Sequence, residues 1–375
     1  MKIRVGVVFG GRSGEHEISI RSAKTVIEQI DKEKYAVVPI AIDQDGHWLN
    51  PKDSAALLPY DTASLIRAEI EEAGLDSVAL IGDPSYAGLK DVSHGSDKFL
   101  SLDVIFPVLH GTFGEDGTIQ GIFEMADIPY VGCGVLASSC GMDKGVMKSL
   151  FKEAGLPICK HTWFLRSRWE TEPEAVADII ESELGYPCFV KPANLGSSVG
   201  IGQATNRAQL FTAINTAAEY DRKIIVEECL KMREIECAVI GNDAPQASLP
   251  GEYIIKDKTK AFLDYTEKYA GTGNNEFVVP APLSVELSKK IREMAVKAFK
   301  SIDGSGLARV DFFLRTDNGS LLVNEINTMP GLTDASGYPK MWAGTGKSFS
   351  KVIDELISYA LERHKDKKRN KTSRA

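Results

Sequence analysis

Long apolar runs are missing from this chain: no stretch approaches the roughly 20 residues needed to cross a bilayer. Excess positive charge is missing too. The formal charge is −8 at pH 7, which argues against a general binder of nucleic acid or of anionic membrane surfaces. The one strongly basic stretch, the tail "RHKDKKRNKTSR", has no aromatic residue among its charges. It therefore reads as a solvated, disordered end rather than an RNA-binding arm. Cysteine is sparse and unpatterned. Cys133, Cys140, Cys159, Cys188, Cys229 and Cys237 form no CxxC pair and lie among apolar neighbours, which points to buried reduced thiols in the cytoplasm, not to a disulfide or zinc framework. No GxxxxGK[ST] sequence occurs, so a phosphate site, if there is one, is not a P-loop. The start "MKIRVGVVFGG" lacks a small-residue cleavage site and reads as a strand entering a glycine turn, not a signal peptide.

What is present is an ordinary globular composition, 43% hydrophobic and 26% charged, in 375 residues, more than one compact core usually holds. In the first third, "IRVGVVF", "YAVVPIAID" and "DVIFPVLHG" read as strands, and a helical pattern runs from about residue 19 to 30. Strands separated by helices predict a parallel α/β sheet, with ligands at glycine-rich strand ends. Residues 45–98 are polar and poorly periodic, and no role follows for them from the pattern. Farther on, "MDKGVMKSLFKEAGLP" predicts a short helix stopped at Gly155 and Pro157. "PCFVKPANLGSSVGI" predicts a strand running into a loop, and "KIIVEECL" another strand, with a boundary near its end. In "LARVDFFLRTDNGSLLVNEIN", Asn318-Gly319 between alternating apolar residues marks a hairpin.

That hairpin carries the chemistry. It brings Asp311 to the same face as Glu325 and Asn327, which stand two apart on one strand. Two carboxylates and a carboxamide are hard oxygen donors that suit Mg²⁺, and the absence of histidine and cysteine from the group counts against zinc. Each acid also interrupts an apolar run, where an unpaired charge would cost several kcal/mol. Such a metal site usually serves nucleotide phosphates. The stretch "VKPANLGSSVG" supplies a strand lysine, Lys191, followed by a Gly-Ser-Ser loop able to wrap an anion, and Lys144 lies in "MDKGVMK" upstream.

Taken in order, "GGRSGEHEIS", "HGTFGEDGTIQG", "MDKGVMKSLF", "VKPANLGSSVG", "VEECL…REIE", "RVDFFL" and "VNEINTMPGLT" resemble the D-alanine–D-alanine ligase family of the ATP-grasp superfamily, from about residue 5 to 340. The resemblance implies an α/β, ATP-grasp fold of three α/β domains, with ATP between the central and C-terminal ones. The expected divisions are 1–134, 135–228 and 229–364, with 365–375 as the basic tail. It also implies ATP as co-substrate with two Mg²⁺ ions, or Mn²⁺ in their place, on Asp311, Glu325 and Asn327. Lys144 and Lys191 would hold the α- and β-phosphates, with Ser198 in the loop between strands. Glu227, Glu228 and Leu230 would meet adenine, and Glu234 the ribose hydroxyls. Glu15 would anchor the first substrate's ammonium group; the residues alone read it as a helix N-terminal acid. His110 would lie near that substrate and Ser336 near the second carboxylate. Arg309 and the Gly331 N–H would bind the developing oxyanion.

The long loop at about 256–276 resembles the family's lid. Lys268 in it would reach the γ-phosphate, and Tyr269 would join Ser197 and Glu15 in a hydrogen-bonded chain. The Tyr265…Lys268-Tyr269 arrangement resembles the dipeptide-forming members. The implied activity is ATP-dependent ligation of two D-alanine molecules for peptidoglycan synthesis, by a cytoplasmic homodimer without nucleic-acid or membrane partners. A ligase joining D-alanine to D-lactate or D-serine is the alternative within the superfamily, and a nucleotide-binding module without catalysis is the alternative outside it.

Overall fold

A computed structural model of the chain describes residues 2–196, 199–255 and 275–371. In the N-terminal part, β1 (Ile3–Gly10), β2 (Tyr35–Ile42), β3 (Val78–Leu80), β4 (Gly88–Asp91), β5 (Phe99–Ser101) and β6 (Val104–Pro107) make two sheets. The order β2-β1-β6 is parallel throughout, as the strand–helix alternation predicts. Strand β1 shows why: Val5, Val7 and Phe9 enter one core and Val8 the other, so both faces are covered. The first helix, His16–Gln29, begins three residues earlier than its apolar period suggests.

Residues 45–98, featureless in the sequence, build three short helices and two strands, β3 and β4, of the small antiparallel sheet β3-β4-β5. Their Leu75, Val78 and Leu89 cover the outer face of the parallel sheet. Elements of three to seven residues are too short to show a period, which is why the pattern there was silent.

The central sheet is β7 (His161–Leu165), β8 (Cys188–Pro192), β9 (Gly202–Ala204) and β10 (Lys223–Glu228), antiparallel in the order β7-β10-β8-β9. It has a core of its own, with Val176, Ala177 and Ile180 from one helix and Leu210, Ala213 and Ile214 from another. The helix Lys144–Glu153 does not join that core. Its Met147 and Phe151 pack on the third sheet instead.

The third sheet contains β11 (Met232–Gly241), β12 (Gln246–Ala247), β13 (Gly251–Ile255), β14 (Asn275–Val278), β15 (Gly306–Arg315) and β16 (Leu321–Asn327), in the order β14-β13-β11-β15-β16 with β12 beside β11. Strand β14 takes the last residues of the stretch expected to be loop. The helix Val285–Ser301, capped by Ser284, covers one face. The final helix, Phe349–Lys367, packs against the parallel N-terminal sheet, so residues from both chain ends share one core. It includes residues 365–367, so the first part of the basic tail is helical rather than disordered. Lys367 and His364 lie on that last turn and pair with Glu124 and Asp127 of the N-terminal part. All six cysteines are free thiols. Among the described residues no helix is long and apolar enough to cross a membrane.

The N-terminal part and the third sheet approach closely at Gly306, which opens β15. Its φ is +72°, and a Cβ there would lie 2.9 Å from the backbone nitrogen of Gly132. Left-handed backbone costs a side chain about 1–2 kcal/mol before any clash. Gly306→Ala should lower unfolding stability in urea by more than about 2 kcal/mol. Gly74→Ala, also left-handed but with no atom nearer than 3.8 Å, should cost only the conformational part. Equal losses in the two variants would rule out the close contact.

Candidate active site

One face of the third sheet is polar because of a one-residue bulge. Asp311 pairs with Glu325, but the next residue, Phe312, pairs with Val323, so Asn324 is the extra residue on β16. Before the bulge Leu321 and Val323 point into the core; after it Ile326 does, and Glu325 and Asn327 turn to the opposite face. A regular strand would send 321, 323, 325 and 327 to the same side. The bulge reconciles an apolar strand with an acidic end.

Register then lays carboxylates in a row across three strands: Glu236 of β11 is opposite Asp311 of β15, which is opposite Glu325 of β16. Two residues along, Arg309 is opposite Asn327. The Arg309 guanidinium donates to both Asp311 oxygens, Nε and Nη2 at 2.7 Å each, and Asn327 Nδ2 donates to Asp311 at 3.1 Å. Burial pushes the Asp311 carboxyl up to about 6; Arg309 opposes the rise, and the Glu236 and Glu325 charges add to it. A divalent cation would relieve this excess of negative charge. The donors fit it: hard oxygens, converging at strand ends in a cleft, with no soft ligand among them.

Across the cleft the central sheet presents cations. Glu227, 3% exposed, lies between Lys191 (2.7 Å) and Lys148 (2.9 Å). Burial alone would raise the Glu227 carboxyl, but the two ammonium groups outweigh it and hold it well below the usual carboxylate range. Lys148 also donates to the carbonyl of the bulge residue Asn324 at 3.1 Å, so one buried ammonium joins both sheets. Lys144 opens its helix behind the N-cap Asp143 and donates to Leu195 O at 2.7 Å; burial pushes its ammonium pKa down. Glu228 accepts from the Lys160 N–H at 2.8 Å.

At the N-terminal end, Glu15 is the N-cap of the first helix, the place its residue type suggested, but it makes no side-chain cap bond. Its carboxylate points between two glycine loops. A Cβ on Gly111, whose φ is +75°, would meet Glu15 Oε2 at 2.8 Å, and one on Gly196 at 3.5 Å. His110 is buried, with Nε2 2.9 Å from Ser22 Oγ and Nδ1 donating to Met329 O at 3.1 Å. That second bond ties the N-terminal strand end to the loop carrying Gly331. Burial disfavours the imidazolium, but Glu115, 3.8 Å away, and Glu15 beyond it raise the His110 pKa.

A single cleft is lined by Glu15, His110, Lys144, Lys191, Glu227, Glu228, Leu230, Glu234, Arg309, Asp311, Glu325, Asn327, Gly331 and Ser336. Ser197, Ser198, Tyr265, Lys268 and Tyr269 lie outside the described residues. Three charged groups escaped the sequence reading. Glu115 sits five residues after His110 in the same glycine-rich stretch, Lys148 one helical turn after Lys144, and Glu236 two residues after Glu234 on the same strand face. Spacing could have found the last two.

Two sheets facing each other, one bearing lysines and the other a carboxylate row, with Glu15 at the far end, fit the ATP-grasp fold of an ATP-dependent carboxylate–amine ligase, the class to which the relatives below belong. The family model described as D-ala D-ala ligase N-terminus matches residues 4–133, and that described as D-ala D-ala ligase C-terminus matches residues 150–358. The D-alanine–D-alanine ligase of Heliobacterium modesticaldum is 46% identical over 374 residues, covering 100% of this chain and 99% of the relative. That of Natranaerobius thermophilus is 45% identical over 371 residues, covering 99% and 98%. Among solved structures, the D-alanine–D-alanine ligase from Coxiella burnetii superposes with a TM-score of 0.80 at 33% identity, covering 98% of each chain. A D-Ala:D-Ser ligase from Enterococcus faecalis gives 0.80 at 34%, covering 96% of this chain and 100% of that one. The chain belongs to the D-alanine–D-alanine ligase family.

The bridge made by Lys148 should be measurable. Lys148→Met leaves Glu227 with one cation fewer in a buried site, and breaking such a pair costs about 3–5 kcal/mol. Urea unfolding should show that loss, and ATP affinity should fall with it because the tie between Glu227 and the Asn324 carbonyl of the third sheet is lost. A loss below about 1 kcal/mol would mean the Lys148–Glu227 contact contributes no more than a surface pair does.

Proposed function

We propose that this chain joins two D-alanine molecules to D-alanyl-D-alanine, consuming ATP, and that its cleft divides into three ends. Lys144 and Lys191 hold the phosphates, with Ser198 and Lys268 assigned to the same task. Glu227, Glu228 and Leu230 meet the adenine, and Glu234 the ribose. Glu15 anchors the ammonium of the first D-alanine in reach of His110, and Ser336 receives the carboxylate of the second. The observation that carries this reading is the single cleft that places the lysines of the central sheet, the acids of the third sheet and Glu15 around one space.

In the first step a carboxylate oxygen of the first D-alanine attacks the γ-phosphorus; the bond to the β-phosphate oxygen breaks and ADP leaves. In the second step the amine of the other D-alanine attacks the acyl carbon. The C–O bond to phosphate breaks, phosphate leaves and the amine loses a proton. Arg309 and the Gly331 N–H are placed to receive the negative charge that grows on the carbonyl oxygen. Arg309 pairs with Asp311, so release of Arg309 to a phosphate and capture of Asp311 by a cation would be complementary exchanges. Asp311, Glu325 and Asn327 would hold two Mg²⁺ or Mn²⁺ ions, whose charge stabilises the phosphates during transfer. Tyr269 and Ser197 are assigned, with Glu15, to keeping water from the acyl phosphate. Family membership supports a cytoplasmic homodimer serving peptidoglycan synthesis.

The decisive assay is phosphate release with ATP and Mg²⁺ in the presence of D-alanine, L-alanine or no amino acid, with product mass determined. D-Alanine alone should stimulate release and yield the dipeptide. Release without D-alanine, or a depsipeptide formed in preference to the dipeptide when D-lactate is added, would overturn the reading. Glu325→Ala should abolish turnover, at least about a thousandfold. Chelation by EDTA should do the same to the unmodified protein, with recovery on adding Mg²⁺ or Mn²⁺. Near-normal activity of the Glu325 variant would dismiss the metal assignment.

A further inference from the structure

Most buried carboxylates described around the cleft have a close cation. Glu227 has two lysines, Asp311 has Arg309, and Glu252 on β13 is gripped by Arg233 through two bonds of 2.7 and 2.6 Å. Glu236 is different. Its side chain is 5% exposed, yet its Oε2 has no hydrogen-bond partner among the described residues, and the nearest cation, Arg309 Nε, is 3.5 Å away. Desolvating a carboxylate without a donor is costly, so the site is built for a donor that arrives with a ligand.

Where Oε2 points identifies that ligand. A Cβ on Gly337 would lie 2.5 Å from it, so Glu236 reaches the turn that follows Ser336, and Gly337 leaves the space for it. All of these residues line the cleft. Glu236 is the cross-strand neighbour of Asp311 but does not join a three-ligand set with it. Among the described residues, the one set of three histidine, cysteine or carboxylate ligands within 4.8 Å of one another is Asp43, Asp45 and His47, so Glu236, Asp311 and Glu325 do not converge on a common ion position.

We propose that Glu236 is the ammonium receptor of the second amino acid: its free oxygen accepts a hydrogen bond from the incoming substrate's ammonium group while Ser336 receives that substrate's carboxylate. It is thereby a specificity residue, favouring a 2-amino acid over the isosteric 2-hydroxy acid, which has no cation to offer. The inference rests on the ligase reading above, and deepens it at the second subsite.

The test is Glu236→Gln, with steady-state kinetics resolved for ATP and for each amino-acid site, and with D-lactate competing against D-alanine as nucleophile. Losing one charged hydrogen bond should raise KM for the second D-alanine roughly ten- to a hundredfold. KM for ATP and for the first D-alanine should hold within about threefold, and the ratio of depsipeptide to dipeptide should rise by a factor on the order of ten. Gly337→Ala, which crowds the same oxygen, should move KM for the second site in the same direction and provides the measurement if the first variant does not fold. Two outcomes overturn the proposal. One is an unchanged second-site KM with kcat lowered equally for both nucleophiles, which would make Glu236 a positioning residue for Arg309. The other is a loss of stability alone, which would make it an anion at the start of the helix Gly337–Gly344. If the unmodified protein yields no dipeptide, the ligase reading itself fails, and this inference goes with it.

Discussion

The ammonium group of Lys148 is the contact on which the cleft depends. It is buried to 1% exposure and holds two things at once: the Glu227 carboxylate on the central sheet and the carbonyl of Asn324 on the third. The central sheet has a core of its own, whereas the helix carrying Lys144 and Lys148 packs on the third sheet. Lys148 therefore reaches out of one packing unit into another, and its charge fixes the distance between them. A hydrophobic residue could fill the space, but it could not satisfy both a carboxylate and a strand carbonyl. The cost of burying an ammonium is offset by the hydrogen bonds and the ion pair it makes there.

The carbonyl it holds belongs to the bulge, and the bulge decides what the third sheet offers. Without the extra residue at Asn324, Glu325 and Asn327 would follow Leu321 and Val323 into an apolar core. With it, one strand seals the core at one end and lines the cleft at the other. Edge position makes this possible: β16 has a neighbour only on the β15 side, so a bulge there breaks no second ladder. Fold and chemistry are thus coupled through a single inserted residue, secured by a lysine from outside the sheet.

Much of this was legible in the sequence, for identifiable reasons. The parallel sheet showed itself in apolar runs separated by helical periods. The hairpin showed itself in Asn318-Gly319, and Gly319 does adopt left-handed backbone. The pairing of Asp311 with Glu325 was not legible: regular parity from that turn sets Asp311 opposite Asn324, and only the bulge brings Glu325 beside it. Less was legible where elements are short, as over residues 45–98, or where packing ignores chain order, as when the helix Lys144–Glu153 leaves the central unit for the third sheet. Glu236, Glu115 and Lys148 were passed over because each stands beside a residue with a more familiar role. A charged side chain two along a strand or four along a helix from a candidate shares its face, and that geometry alone would have drawn attention to Lys148 and Glu236.

The cleft pairs most of its internal charges within the protein. Arg309 lies against Asp311, Lys191 against Glu227, and His110 near Glu115, so the fold does not carry a set of bare buried ions. On the proposed assignments, binding would exchange partners: a phosphate for Asp311 on Arg309, a cation for Arg309 on Asp311. Each exchange replaces one ionic contact by another, and the net affinity is a difference between them, not the sum of new contacts. The arrangement also requires the charged ligands to arrive together. A phosphate that drew Arg309 away would leave Asp311 without its cation, buried in the same row as Glu236 and Glu325, unless a cation came with it. On those assignments, the Arg309–Asp311 pair favours a metal–nucleotide complex over either component alone.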